Sequence, residues 1–165
     1  MEYLWSPWRM NYIQSNKEKN GCVFCLAADM PDSPENLIVF RGKQSYVILN
    51  RYPYTSGHLM VVPYVHQATI LELDEATRAE MMELTNQCIR VLQAVYSPQG
   101  FNVGINIGSA AGAGIREHIH MHVVPRWNGD TNFMSSLGDT RVLPETLEDS
   151  YWRIYQMWKA LMPQD

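Results

Sequence analysis

Residues 116–125 read R-E-H-I-H-M-H-V-V-P and hold three of the chain's five histidines, His118, His120 and His122, at alternate positions. An extended backbone sends successive side chains to opposite faces, so this spacing lines the three imidazoles along one side of a strand. Ile119, Met121 and Val123 then point to the other side, where they can enter a core. Pro125 has no amide hydrogen and is expected to stop the ladder. Each histidine facing a core would need a hydrogen-bonding partner, so the histidine side is expected to meet water or a ligand. Two chemistries suit such a row. Imidazoles ligate zinc, and a row of them could build a metal centre. Alternatively one ring is a nucleophile whose neighbours fix its tautomer and contact the substrate.

The surrounding sequence supplies the rest of a sheet. Residues 101–107 (F-N-V-G-I-N-I) alternate as a strand does, and residues 106–114 (N-I-G-S-A-A-G-A-G) form a small-residue loop that can bring backbone N–H groups close to an anion. Further upstream, L-I-V-F (37–40), Y-V-I-L (46–49) and L-M-V-V (59–62) read as strands, and R-G-K-Q-S (41–45) is a hairpin connection between the first two. Residues 50–57 (N-R-Y-P-Y-T-S-G) interrupt that pattern with Pro and Gly.

From Asp74 to about Tyr96 the apolar period lengthens, with Met81, Leu84, Cys88, Val91 and Val95 on one helical face. S-P-Q-G (97–100) ends that helix. A second helix is expected over residues 145–162, with Leu147, Tyr151, Ile154, Tyr155, Trp158 and Leu161 as its apolar stripe. Hairpins, one helix between strands and no regular βαβ alternation give an α+β fold on an antiparallel sheet.

At 165 residues the chain suits one domain throughout, with a core over 37–127 flanked by an N-terminal segment (1–30) and the last helix (145–162). A formal net charge of −4 argues against a nucleic-acid binder, which needs a surplus of Lys and Arg. No apolar run approaches the ~20 residues that span a bilayer, and M-E-Y-L-W-S-P-W-R-M lacks the pattern of a signal peptide, so a cytoplasmic protein without a membrane partner is expected. Three cysteines are an odd number for a disulfide framework. Cys22-x-x-Cys25 instead has the spacing of half a zinc site. Cys88, on the apolar face of the long helix, is expected in the core.

H-I-H-M-H-V-V resembles the signature of the histidine-triad (HIT) family, in which three histidines alternate with apolar residues. The resemblance extends to Asn50, separated by six residues from Gly57-His58-L-M-V-V-P, and to the C-x-x-C pair. L-W-S-P-W-R-M-N-Y-I, G-A-G-I and P-R-W-N-G-D-T-N-F are similar to the diadenosine tetraphosphate phosphorylase branch, so the likeness covers roughly residues 3–135. It implies a HIT-like antiparallel sheet of about five strands with a long central helix and a C-terminal helix. It also implies an enzyme acting on dinucleoside polyphosphates, in which His120 attacks the α-phosphorus to form a nucleotidyl-histidine. His122 would contact the phosphoryl or bridging oxygen, and His58 would support the site. Asn50 would reach the ribose hydroxyls, while Asn106, Gly108, Ser109 and Gly114 would contact the phosphates.

Many hydrolase-type members carry Gln-Ser or Gln-Thr just before the triad, and this chain has Gly114-Ile115 there, which favours phosphate over water as the acceptor. With His58, His120 and His122 so assigned, Cys22, Cys25, His66 and His118 remain as a closed structural zinc set, which zinc-bearing members resemble. A homodimer is implied as well. The alternatives are an adenosine phosphoramidate hydrolase, a metal-dependent hydrolase built on the triad, and a zinc-stabilised nucleotide-binding protein with little turnover. Trp5, Trp8 and Tyr12 are expected to pack on the core or on a partner copy, and Trp152 and Trp158 to pack within the fold.

Overall fold

Among the described residues, 21–130 and 143–162 of a computed structural model, five strands form one antiparallel sheet. They are β1 (Ile38–Arg41), β2 (Ser45–Leu49), β3 (Leu59–Pro63), β4 (Gly100–Ile105) and β5 (Met121–Arg126). Their spatial order is β1-β2-β3-β5-β4, so β5, last in sequence, sits between β3 and β4. Three α-helices accompany the sheet among the described residues: α1 (Val23–Asp29), α2 (Glu75–Tyr96) and α3 (Leu147–Leu161). This is the α+β arrangement that the hydrophobic periods predict. Residues 1–20 and 131–142 fall outside the description, and with them the expectations for Trp5, Trp8 and Tyr12.

Strand alternation sorts the sheet into two faces. The register aligns Val47, Val61 and Met121 across β2, β3 and β5. This row meets α2, where Thr85 Oγ1 donates to Met121 Sδ at 3.0 Å. The next row, Ile48, Met60 and His122, points to the opposite face, where α1 lies. Both faces are covered, so all of β2 and β3 is buried and the alternation of polar and apolar residues is lost there.

Local chemistry sets the helix limits. Asp74 caps α2 by accepting from the Thr77 amide at 2.7 Å, and Ser97 in the left-handed region ends it. Met81, Leu84, Cys88 and Val91 are buried on the predicted face. Thr146 caps α3 in the same way, from the Asp149 amide at 3.1 Å. Of the two tryptophans on α3, Trp158 is in the core and stacks on Phe40 at 5.0 Å, whereas Trp152 is 43% exposed. Leu161 is also exposed.

Two expectations about the histidine stretch change. The ladder of β5 begins only at Met121, which pairs with Val61 of β3 and Ile105 of β4. Residues 118–120 lie outside the ladder and bond elsewhere, the Ile119 amide donating to the Gln67 carbonyl at 2.7 Å. Pro125 does not stop the strand; it pairs with Phe101 of β4. A strand residue's N–H and C=O point to the same edge. The Pro125 carbonyl accepts from Thr55 Oγ1 at 2.9 Å, so the missing hydrogen falls on the side that β3 has already left.

Candidate functional site

The face opposite α2 and α3 opens into a cleft of about 630 Å³. Its floor is the row Ile48, Met60 and His122, together with His120. One wall is α1, through Val23, Phe24, Leu26 and Ala27; the rim carries Asn50, Tyr52, Asn106 and Gly114. A deep apolar side and a few converging polar groups suit a ligand with a flat apolar part and a polar part.

Backbone partners of unambiguous role fix the histidine tautomers. The His118 carbonyl oxygen can only accept, so at 2.9 Å it takes the hydrogen of His120 Nδ1. In the neutral ring Nε2 of His120 therefore holds a lone pair. Burial lowers the basicity of His120, against a smaller opposite pull from that carbonyl, and so favours the neutral form. His58 is set the other way. The Tyr54 amide donates to its Nδ1 at 3.1 Å, which makes that nitrogen an acceptor. With one hydrogen per ring, His58 Nε2 then donates to His122 Nδ1 at 2.9 Å, and His122 carries its own hydrogen on Nε2. Two rings 4.8 Å apart thus present opposite functions, a lone pair on His120 and an N–H on His122.

Asn50 belongs to this network. Its Oδ1 accepts from the Tyr52 amide at 3.0 Å, and its Nδ2 lies 3.4 Å from His58 Nδ1. Gly57, with φ +77, turns the chain into His58 against the side chains of Leu92 and Tyr96. A Cβ there would come within 2.7 Å of the Tyr96 ring, so only glycine fits.

The loop before the triad is only partly in the cleft. Asn106, Gly112, Gly114 and Ile115 line it, whereas Gly108 and Ser109 are exposed and lie outside the lining. Their carbonyls close the loop instead, accepting from the Ala113 and Gly112 amides at 3.3 and 3.0 Å. The apolar lining was not anticipated from sequence, its main omissions being Phe24 in the wall of α1 and Met60 on the floor.

A second cluster lies behind α1. The ligand atoms of Cys22, Cys25, His66 and His118 all fall within 4.8 Å of one another. Cys22 Sγ and Cys25 Sγ are 3.3 and 3.6 Å from His118 Nδ1, and Cys25 Sγ is 3.3 Å from His66 Nδ1. Ligand edges of roughly 3.5 Å are what Zn–S and Zn–N bonds of ~2.3 and ~2.0 Å give in a tetrahedron. His118 Nε2 donates to the Pro63 carbonyl at 2.8 Å, leaving the Nδ1 lone pair aimed at the thiols. Burial lowers the basicity of His118, so that lone pair is available near neutral pH. Burial and the adjacent Cys22 push the Cys25 thiol up to about 11, a preference that a bound dication reverses. The donor set fits zinc. His118 is the only triad member in it among the described residues, which weighs against a metal centre built on the whole triad.

Fold and motif together define the class: the chain belongs to the HIT-domain family, whose match spans residues 32–129. It is 41% identical over 165 residues to a Mycobacterium tuberculosis protein named AP-4-A phosphorylase, a match that covers 96% of this chain and 85% of that one. Among solved structures it is similar to a zinc-bound histidine triad family protein from Mycobacterium smegmatis. The TM-score is 0.68 at 30% identity, over 86% of this chain and 95% of that chain. A hypothetical histidine triad nucleotide-binding protein from Sulfolobus tokodaii is similar too, with a TM-score of 0.67 at 26% identity, over 85% and 93% of the two chains.

Proposed function

We propose that the chain is a nucleotidyl transferase or hydrolase acting on dinucleoside polyphosphates, with phosphorolysis of diadenosine tetraphosphate as its leading reaction. The observation that carries this reading is the opposite hydrogen setting of His120 and His122 on one cleft. A lone pair beside an N–H donor is what in-line displacement at phosphorus requires, the first to attack and the second to meet the charge of the departing oxygen.

In the first step His120 Nε2 forms a bond to the α-phosphorus as the bond from that phosphorus to the bridging oxygen breaks. ATP leaves, helped by the His122 N–H. The His118 carbonyl accepts from His120 Nδ1–H and so stabilises the positive charge that the nucleotidylated ring acquires. In the second step inorganic phosphate attacks the same phosphorus from the opposite side, giving ADP and restoring His120. His58 acts through His122 as a positioning residue, and Asn50 is placed to reach the ribose as well as His58. Asn106 and Gly114 offer the phosphates their nearest contacts, with Gly108 and Ser109 available if the loop closes over the ligand.

Phosphate is the favoured acceptor because Gly114 and Ile115 line the cleft where a side-chain amide and hydroxyl would help water. The name of the M. tuberculosis relative supports the same choice. Incubating the protein with diadenosine tetraphosphate, with and without phosphate, should give ADP and ATP only when phosphate is present. AMP with ATP, or ADP alone, would make it a hydrolase.

Cys22, Cys25, His66 and His118 would hold one zinc ion, which supplies structure because four protein ligands leave no open position. No helix among the described residues is long and apolar enough to cross a membrane, and a cytoplasmic location accords with a nucleotide substrate. We infer a homodimer as well: β4 is an edge strand, and its Val103 and the nearby Ile107 are 45% and 46% exposed. A monomeric mass by light scattering would end that reading.

A further inference from the structure

We infer that the Cys22/Cys25/His66/His118 group controls the nucleotide cleft, and that Phe24 is the positioning residue through which it does so. The inference rests on the proposed role of His120 and goes beyond a structural part for the metal.

The first reason is where α1 is anchored. A helix of seven residues does not hold itself together, so its ends must be fixed from outside. The C-terminal end is fixed by protein. Arg41 donates to the Ala28 and Met30 carbonyls, both at 2.7 Å, and Asn36 Nδ2 donates to the Ala27 carbonyl at 3.1 Å. Among the described residues, the N-terminal end has one protein clamp, the Tyr46 hydroxyl donating to the Phe24 carbonyl. Cys22, at the cap, makes no side-chain capping bond, and what Cys22 and Cys25 meet instead is His118 and His66. A metal shared by those four residues would be a second anchor at that end of the cleft wall.

The second reason is what lies between the two cysteines. Phe24 is buried, and its ring lies 5.4 Å from that of His118 and 4.9 Å from that of His120. It therefore bridges a metal ligand and the nucleophile while forming part of the cleft wall. Tyr46 holds its carbonyl, donating from the hydroxyl at 2.8 Å, so the turn that carries Phe24 has little freedom once the cysteines are held.

The third reason is His118 itself. Its side chain belongs to the metal group, while its carbonyl sets the His120 tautomer at 2.9 Å. A shift of that imidazole toward or away from a metal moves the peptide that orients the nucleophile. Both routes are a single residue long, and both end on His120.

The test uses the full chain, loaded with zinc and stripped by a chelator, with folding checked by circular dichroism. AMP is the probe by titration calorimetry, and nitrogen NMR reads the His120 ring. Stripping should weaken AMP binding on the order of tenfold or more, and should move the His120 nitrogen signals away from a single Nδ1–H tautomer. Phe24→Ala, kept loaded with one zinc, should show the same weakened binding and a lower kcat, and Phe24→Leu should restore most of both. Unchanged His120 signals and unchanged AMP affinity in the stripped, folded protein would overturn the inference. If stripping unfolds the chain, a loaded Phe24→Ala variant with wild-type affinity and kcat would overturn it instead. Failure of the wild type to turn over diadenosine tetraphosphate bears only on the proposed reaction, since the NMR signature is read without turnover.

Discussion

His120→Ala is expected to lower turnover of diadenosine tetraphosphate by roughly 10⁴-fold or more, the scale seen when a covalent nucleophile is removed. The expectation follows from how completely the fold commits this ring. Its Nδ1 is tied to the His118 carbonyl and only Nε2 is left for chemistry. The ring is buried against Phe24 and the neighbouring His122, so no other side chain can swing into the same place. His122 cannot substitute, because the bond from His58 occupies its Nδ1 and leaves its hydrogen on Nε2. His120→Gln, which keeps much of the volume but offers no comparable nucleophile, separates chemistry from packing. Both variants should retain zinc and the wild-type melting temperature to within a few degrees. The check is nucleotide release by chromatography, together with mass spectrometry of protein quenched during turnover. Wild type should carry an acid-labile AMP on His120 and the variants none. Turnover within tenfold of wild type in either variant would rule out covalent catalysis by His120.

The parts of this fold that could be read from sequence are those where one physical preference acts alone. The face of α2 follows directly from its period, and Met81, Leu84, Cys88 and Val91 are buried as expected. Alternation in the triad placed His120 and His122 on the cleft, although the expected wet face turned out to bury His118 entirely. Where two preferences compete, the reading fails. β2 and β3 are buried on both sides, so Ile48 and Met60 look like any core residues although they floor the cleft. No period reveals α1, because seven residues are too few to show one and its stability comes from Arg41 and Asn36. The pairing of Cys22 and Cys25 with His66 and His118 came from family likeness, since spacing alone supplies only half a site. Leu161 fits the apolar stripe in sequence and Trp152 was expected to pack within the fold, yet they are 44% and 43% exposed.

Removing zinc is expected to be the largest perturbation of stability. Protein purified without chelator should contain about one zinc per chain, and Cys22→Ser or Cys25→Ser should lose most of it. If free zinc exceeds its dissociation constant about 1,000-fold, binding contributes roughly 4 kcal/mol to the folded state. For a chain of this size that corresponds to a fall of roughly 8–16 °C in melting temperature on chelation. The competing account is a reduced thiol pair bonded to imidazole, with a Cys22 S–H donating to His118 Nδ1 across 3.3 Å. That arrangement is a weak hydrogen bond, and chelator would leave it untouched. Geometry also separates the two accounts. A pair of thiol–imidazole bonds has no reason to converge, yet all four ligand atoms lie within 4.8 Å of one another, and the Pro63 carbonyl turns the His118 lone pair toward both sulfurs. Cobalt substitution supplies a direct readout, because a tetrahedral thiolate site gives intense visible absorption that neither isolated thiols nor surface histidines produce. Folded protein that contains no metal, takes up no cobalt and melts at the same temperature with and without chelator would establish the thiol pair instead.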